Sequence, residues 1–293
     1  MLDIFLNNLP ELPSEAFTET GDVVKKVIDK VSGAVGWIVK PTANKTYQLQ
    51  AEKYLIDQIE NDSNMPPLAK AAAISKVRKL IKEYLNQQNI LSIGLNFLND
   101  SAKPENIDDD WLMNFFEKAK NISKEKMAII WGKILSKEIN TPGSVSKSLI
   151  HILSIVSYKE AEAFLKLANF SVTIEDRLYV IIYDSKYKIL YSRFGLIPED
   201  IFNLADIGLV QHSDNIYFSE VSDGVKLKYF DCEWDVGEKK EVGVGNVILS
   251  RAGEELLSII TDIDEIADFK IFLQHVASRT ATEMSVEQYE EGL

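Results

Sequence analysis

Three histidines, one cysteine and a run of aspartates are the residues from which this chain could build acid–base, nucleophilic or metal chemistry. His151, His212 and His275 fall in different expected elements, and none belongs to an HExxH pair, the spacing that sets two imidazoles on one helical face for a metal. Each reads more simply as a surface or packing residue than as a general acid or base. Cys232 has no evident partner that would favour its thiolate, so it reads as a small packed side chain. Asp108-Asp109-Asp110 offers the hard oxygens that divalent cations select. Consecutive residues opening a helix cannot all aim at one ion, however, and acids at that point cap the helix and complement its dipole. Capping is the expectation. The sequence contains no GxxxxGK[ST] phosphate loop and no GxSxG elbow, and Gly243-Val244-Gly245 lacks the third glycine and following helix of a dinucleotide fingerprint. That GxG is expected to be a turn. On these grounds the sequence predicts no catalytic residue, no metal ligand and no cofactor.

Positioning any site requires elements, and composition sets their setting. The 293 residues are 46% hydrophobic and 26% charged, an ordinary globular balance, and the length suggests two core-forming regions. A single cysteine excludes an intrachain disulfide framework. The formal charge of −13 argues against nucleic acid as a partner, because phosphate neutralisation needs a basic surface. No run approaches the roughly 20 apolar residues of a membrane-spanning helix, and Met1 to Leu6 lacks the basic start of a secretory signal. A cytoplasmic protein is expected, with membrane association as the alternative.

The pattern along the chain predicts an α+β protein: an all-helical N-terminal region followed by a smaller mixed domain. Residues 1–20 read as an irregular arm, 21–170 as the helical domain, 171–280 as the mixed α/β domain and 281–293 as an acidic disordered tail. Helical spacing runs from Asp22 to about residue 40, from Tyr47 to Ile59, and from Pro67 to Phe97 across the polar stretch Asn86-Gln87-Gln88-Asn89. That stretch reads either as a solvated face, the reading preferred here, or as a polar layer between helices. Trp111, Phe115, Phe116 and Trp131 are placed at the aromatic centre of two helices, with Ser123 expected to cap the second. Ser157 to Glu160 fits a capping box. Beyond residue 170, Arg177 to Tyr183 and Tyr187 to Ser192 read as a hairpin turning at Asp184-Ser185-Lys186. A short helix from Pro198, further strands, a helix capped by Ser250 and a last helix around Phe269 complete the domain.

The segments Asp108 to Phe116, Ser123 with Glu125, Trp131 to Glu138 and Pro142 to Ser144 with Leu149 resemble an uncharacterised bacterial family known as Domain of Unknown Function 2806. The likeness is carried by residues 108–164, with Arg78 to Leu98 extending it. It implies a bacterial origin and a helical core, and it brings no activity. Near the C-terminus, Pro198 to Val210 followed by Ile248-Leu249-Ser250-Arg251-Ala252-Gly253 is similar to the end of bacterial winged-helix domains. Asp231, Glu233, Asp235, Glu238 and Glu241 between those segments favour a protein-contacting wing over a DNA reader.

The remaining candidate is an interaction face. In the helix at 22–40, Val27, Val31, Val35, Trp37 and Ile38 form an apolar stripe beside Lys25, Lys26 and Lys30. Such a stripe packs on a protein or, with lysines at the headgroups, lies in a membrane interface. Three functions follow. The first expected is a non-enzymatic regulatory, sensor or assembly protein, homo-oligomeric or bound to a protein partner, in stress or phage defence. The second is a membrane-active effector of the abortive-infection kind using residues 22–40. The third is an enzyme whose acids meet only in three dimensions.

Overall fold

The computed structural model describes residues 21–36, 45–100, 102–237, 241–260 and 263–278. The expected arm (1–20), the acidic tail (281–293), Trp37 and Ile38 lie outside them. The chain divides into two compact units, Met1–Ile150 and His151–Leu293. The change from helix to strand expected near residue 170 falls inside the second unit, where the first strand begins at Ser171.

In the first unit, α1 (Asp22–Val35) ends earlier than its periodicity suggested, because Gly36 adopts a left-handed φ of 73° and its N–H closes on the Ser32 carbonyl. Helix α2 (Lys45–Glu60) and helix α3 (Pro67–Leu95) form a hairpin with its own small core of Leu55, Ile59 and Val77. Pro67 sits at the first position of α3, where its missing N–H costs nothing.

Helix α3 is continuous for 29 residues, so Asn86 to Asn89 do not interrupt it. The solvated reading of that stretch is corrected. Asn86 Nδ2 donates to the Lys120 carbonyl and Gln87 Nε2 to the Phe116 carbonyl, satisfying acceptors at the C-terminal end of α4 (Asp109–Ala119). Asn89 alone of the four is exposed, while Gln88 is buried with neither amide atom partnered among the described residues. Sequence spacing showed where these amides lie on α3 but not that another helix ends beside them.

Helix α5 (Glu125–Asn140) crosses α3 at Gly94 and Gly132. A Cβ at Gly132 would stand 2.5 Å from Ile93 Cγ2, so only hydrogen fits there. Trp111 stacks on Phe115 at 5.1 Å and Phe115 meets Trp131 at 5.2 Å, the aromatic centre that the spacing predicted. Lys124, with no side-chain cap, occupies the N-cap position expected for Ser123. The buried Glu138 carboxylate accepts from Gly143 N at 2.6 Å and Val145 N at 2.9 Å, which fixes the exit from α5. Helix α6 (Lys147–Ile155) follows, with the boundary between the units falling inside it after Ile150.

In the second unit, α7 (Tyr158–Ala168) opens on the complete Ser157–Glu160 capping box. Strands β1 (Ser171–Ile174) and β2 (Arg177–Val180) form a hairpin whose turn residues, Glu175 and Asp176, both have positive φ. That is the backbone of a type I′ turn without the usual asparagine or glycine, so no sequence signal marked it. The hairpin expected at Asp184 to Lys186 is absent. Those residues form a 3₁₀ turn, and Tyr187–Tyr191 is a single π-helical turn in place of a strand. Tyr183, Tyr187 and Tyr191, spaced by four, are all buried; the helical period outweighed the strand propensity of Tyr and Ile.

After α8 (Pro198–Asp206), β3 (Val210–Glu220) pairs antiparallel with β6 (Glu241–Leu249) as a two-stranded sheet. Strands β4 (Lys226–Tyr229) and β5 (Cys232–Asp235), lying between β3 and β6 in sequence, join the first hairpin in an antiparallel sheet ordered β2-β1-β4-β5. Ser250 Oγ accepts from Gly253 N and donates to the Gly208 carbonyl, capping α9 (Arg251–Leu257) as expected. Helix α10 (Ala267–Ser278) closes the unit, and the fold class is α+β.

Candidate functional site

The apolar stripe of α1 is used within its own unit. Val27 and Val31, one turn apart, are fully buried, and α1 contacts α4 and the 3₁₀ turn Pro104–Asn106. Val35 is half-buried. Lys30, which the sequence offered to lipid headgroups, pairs with Asp109 at 2.6 Å. The neighbouring Asp108 caps α4 by accepting from Trp111 N at 2.8 Å, so two of the three clustered aspartates have structural partners. Among the described residues no group of three or more histidines, cysteines, aspartates or glutamates could hold a metal ion, and no helix is long and apolar enough to cross a membrane.

The densest polar constellation lies in the second unit, around Asn246. This fully buried residue follows Gly245, whose φ of 93° and lack of a Cβ let the Ile182 carbonyl approach. The GxG is therefore mid-strand rather than a turn. Asn246 N donates to the Ile182 carbonyl at 2.6 Å, and its Oδ1 accepts from Asp184 N at 3.0 Å. Its Nδ2 donates to the Ser213 carbonyl at 3.1 Å and reaches toward that of Asp214 at 3.4 Å, where the β3–β6 register shifts between His212 and Tyr217. One side chain thus satisfies the backbone that an irregular ladder leaves unpaired.

His212 Nε2 lies 3.1 and 3.3 Å from the two Asp184 carboxylate oxygens. The Phe202 ring stands edge-on to the imidazole, with centroids 5.2 Å apart. Behind them, Tyr183 OH donates to the Gly243 carbonyl, and Tyr191 OH accepts from Tyr183 N and donates to the Ile181 carbonyl. Burial pushes the phenols of Tyr183, Tyr187 and Tyr191 well above the usual tyrosine range, with the nearby Asp184 charge adding to the shift at Tyr187 and Tyr191. The buried Tyr187 hydroxyl has no partner among the described residues.

A carboxylate that orients an imidazole is the element of a proton-transfer pair. Among the described residues His212 makes no hydrogen bond to a hydroxyl or thiol nucleophile, and the pair ties β3 to the Asp184–Lys186 turn. Neither of the other histidine rings joins it: His151 is exposed, and His275 Nδ1 bonds the Ile271 carbonyl within α10. The sequence hid this cluster because Asp184, His212 and Asn246 lie about 30 residues apart and share no motif; Asn246 directly after a GxG was the one local signal.

Beside this cluster, α8 presents Glu199, Phe202 and Asp206 outward at helical spacing, and the helix contains no lysine or arginine. Phe202 is 52% exposed even though its ring touches His212. Glu199 has only a loose ion pair with Lys159, at 3.9 Å between two exposed side chains. Underneath, Ile201 and Leu204 are buried, and Asp200 Oδ2 accepts from Ile197 N to hold the start of the helix. The outer face of α8 is thus acidic around one aromatic ring, on a rigidly anchored helix.

No curated protein and no solved structure matches the chain. The family model described as Protein of unknown function (DUF2806) matches residues 74–270, which takes in the α3–α5 core and also the Asn246 cluster, far beyond the segment in which the sequence resemblance was legible. That match covers well over half of the 293 residues, and the chain belongs to the DUF2806 family.

Proposed function

We propose that this chain is a non-enzymatic regulatory, sensor or assembly protein that works through protein–protein contacts, in a bacterial stress or phage-defence setting. The observation that carries this reading is the outer face of α8, where Glu199 and Asp206 flank the exposed Phe202 and the helix itself carries no lysine or arginine. An aromatic anchor with an acidic rim suits a protein surface bearing a pocket and basic groups. It does not suit phosphate, which calls for lysine and arginine. The succession α8, β3, β6 and α9, with Ser250 fastening the last corner, supports a winged-helix-like framework in which β4 and β5 are an insertion. In such frameworks the helix placed like α8 faces the ligand. Its acidity supports a wing adapted to protein.

The test compares the tagged full chain with Phe202→Asp, expressed at matched levels in a bacterial host, by quantitative mass spectrometry of co-purified material. Proteins stoichiometric with the wild type and depleted roughly tenfold or more with the variant are expected, because truncating an anchor commonly costs 2 kcal/mol or more. Identical protein sets for the two chains, or nucleic acid retained by both, would overturn the reading.

A further inference from the structure

The α2–α3 hairpin is built with one-sided burial and divided charge. Among the described residues, Leu55, Ile59 and Val77 are the ones deeply buried in its core, and Met65, Ala73, Ile74 and Ile81 are covered in part. Two helices cannot enclose a stripe from both sides, so such a hairpin gains by packing against further helices. Leu68 projects from α3 with 84% exposure, in line at helical spacing with the exposed Ala72, Ser75 and Lys79. Small residues on that strip let a second helix approach closely.

Charge indicates what the second helix is. Between Pro67 and Leu85, α3 carries Lys70, Lys76, Arg78, Lys79 and Lys82 against one acid, Glu83, in a chain whose net charge is −13. The stretch Glu52 to Asp62, on and after α2, has the opposite bias: Glu52, Asp57, Glu60 and Asp62 against Lys53. Within the hairpin, Arg78 reaches Glu52 at 3.5 Å and Lys70 Nζ donates to the Glu60 carbonyl. Among the described residues Lys76 and Lys82 have no carboxylate partner, and the Asp57 and Glu60 carboxylates have no lysine or arginine partner. A nucleic acid or an acidic peptide on α3 would meet the acids of α2 beside it. A second hairpin of the same kind, turned about a two-fold axis, places α2 acids against α3 lysines twice over.

We propose that the α2–α3 hairpin is a self-association surface, pairing with the same hairpin of a second copy so that the acidic strip of each faces the basic strip of the other. This names one partner under the contact reading above and rests on it, but it uses a different surface. Hairpin variants leave α8 unaltered, so Phe202-dependent capture and self-association fail separately.

The experiment is sedimentation velocity of the full chain, with circular dichroism to confirm folding, for three proteins. They are the wild type, a chain with Lys76→Glu, Lys79→Glu and Lys82→Glu, and a chain with Asp57→Lys and Glu60→Lys. All five positions are exposed or paired only loosely, so the fold tolerates the changes. The wild type is expected at twice the monomer mass, and each variant alone should dissociate roughly tenfold or more readily. Mixed in equal amounts, the two variants should regain the doubled mass, because the reversed lysines of one then meet the reversed acids of the other. A monomeric wild type, variants that associate like the wild type, or a mixture that stays dissociated would each overturn the proposal. So would charge reversal that leaves the mass doubled but removes binding to a labelled DNA duplex, since the lysines would then serve phosphate.

Discussion

The two units solve the same problem of fastening by different chemistries. In the first, the centre is apolar: Trp111, Phe115, Phe116 and Trp131 interlock, and α3 meets α5 at two glycines where only backbone shape decides the approach. In the second, the centre is hydrogen-bonded. Tyr183, Tyr191, Tyr229 and Asn246 spend their polar atoms on carbonyls and amides of irregular segments, and the aromatic rings of Phe170 and Phe269 fill the remaining space. The difference teaches why one region was legible and the other was not. Packing on a helix face leaves a period in the sequence, whereas a side chain that serves distant backbone leaves only its own letter.

The comparison is broken most forcefully by substitutions at the two centres. Trp131→Ala should cost about 3–5 kcal/mol by cavity formation in the helical unit, read from urea unfolding. Its indole N–H has no partner among the described residues, so the loss is of packing alone. Trp111 is the internal control, since its Nε1 donates to the Val145 carbonyl at 2.9 Å. Trp111→Phe should keep most of the packing while losing that bond, at about 1–3 kcal/mol.

Asn246→Ala should cost about 2–4 kcal/mol, because it strands the Asp184 N–H and the Ser213 carbonyl, to which Asn246 is bonded. Asn246→Asp should recover little, since a carboxylate cannot donate to Ser213. A loss for Asn246→Ala below that of an ordinary surface substitution would mean that the constellation does not fasten the unit.

Alkali sharpens the contrast. Burial pushes the Tyr229 phenol up to about 12, and burial also raises those of Tyr183 and Tyr191 above the unfolded value. A raised folded pKa means that the native state holds its proton where the unfolded chain has lost it, so stability is intact below about pH 10 and falls as pH rises through the window above it. Each such tyrosine removes roughly 1.4 kcal/mol per pH unit inside its window. The second unit should therefore lose near-ultraviolet dichroism of tyrosine with a steep rise in phenolate absorbance, and a protein whose tyrosines ionise smoothly near pH 10 would refute the burial.

The helical half of the fold followed from spacing: the aromatic stripe of α4 and α5, the Pro67 start of α3 and the Ser157 box all stand where periodicity and capping put them. Apart from the early end of α1 at Gly36 and the Lys124 cap of α5, the failures share one cause. Asn86 and Gln87, the tyrosines at 183, 187 and 191, and Gly245 take their roles from segments remote in sequence, and local propensity misassigned each of them. The smallest expected effect belongs to a local feature: Ser157→Ala, which removes one bond of the capping box, should cost about 1 kcal/mol in thermal unfolding.

The claim that this protein acts through a contact at α8 is tested most directly by placing a photoreactive phenylalanine analogue at Phe202 and irradiating living cells. Arg251, whose side chain is 83% exposed at the start of α9, serves as the control position. The account predicts a discrete protein adduct from position 202 that position 251 does not give. Adducts to nucleic acid, or the same diffuse products from both positions, would contradict it.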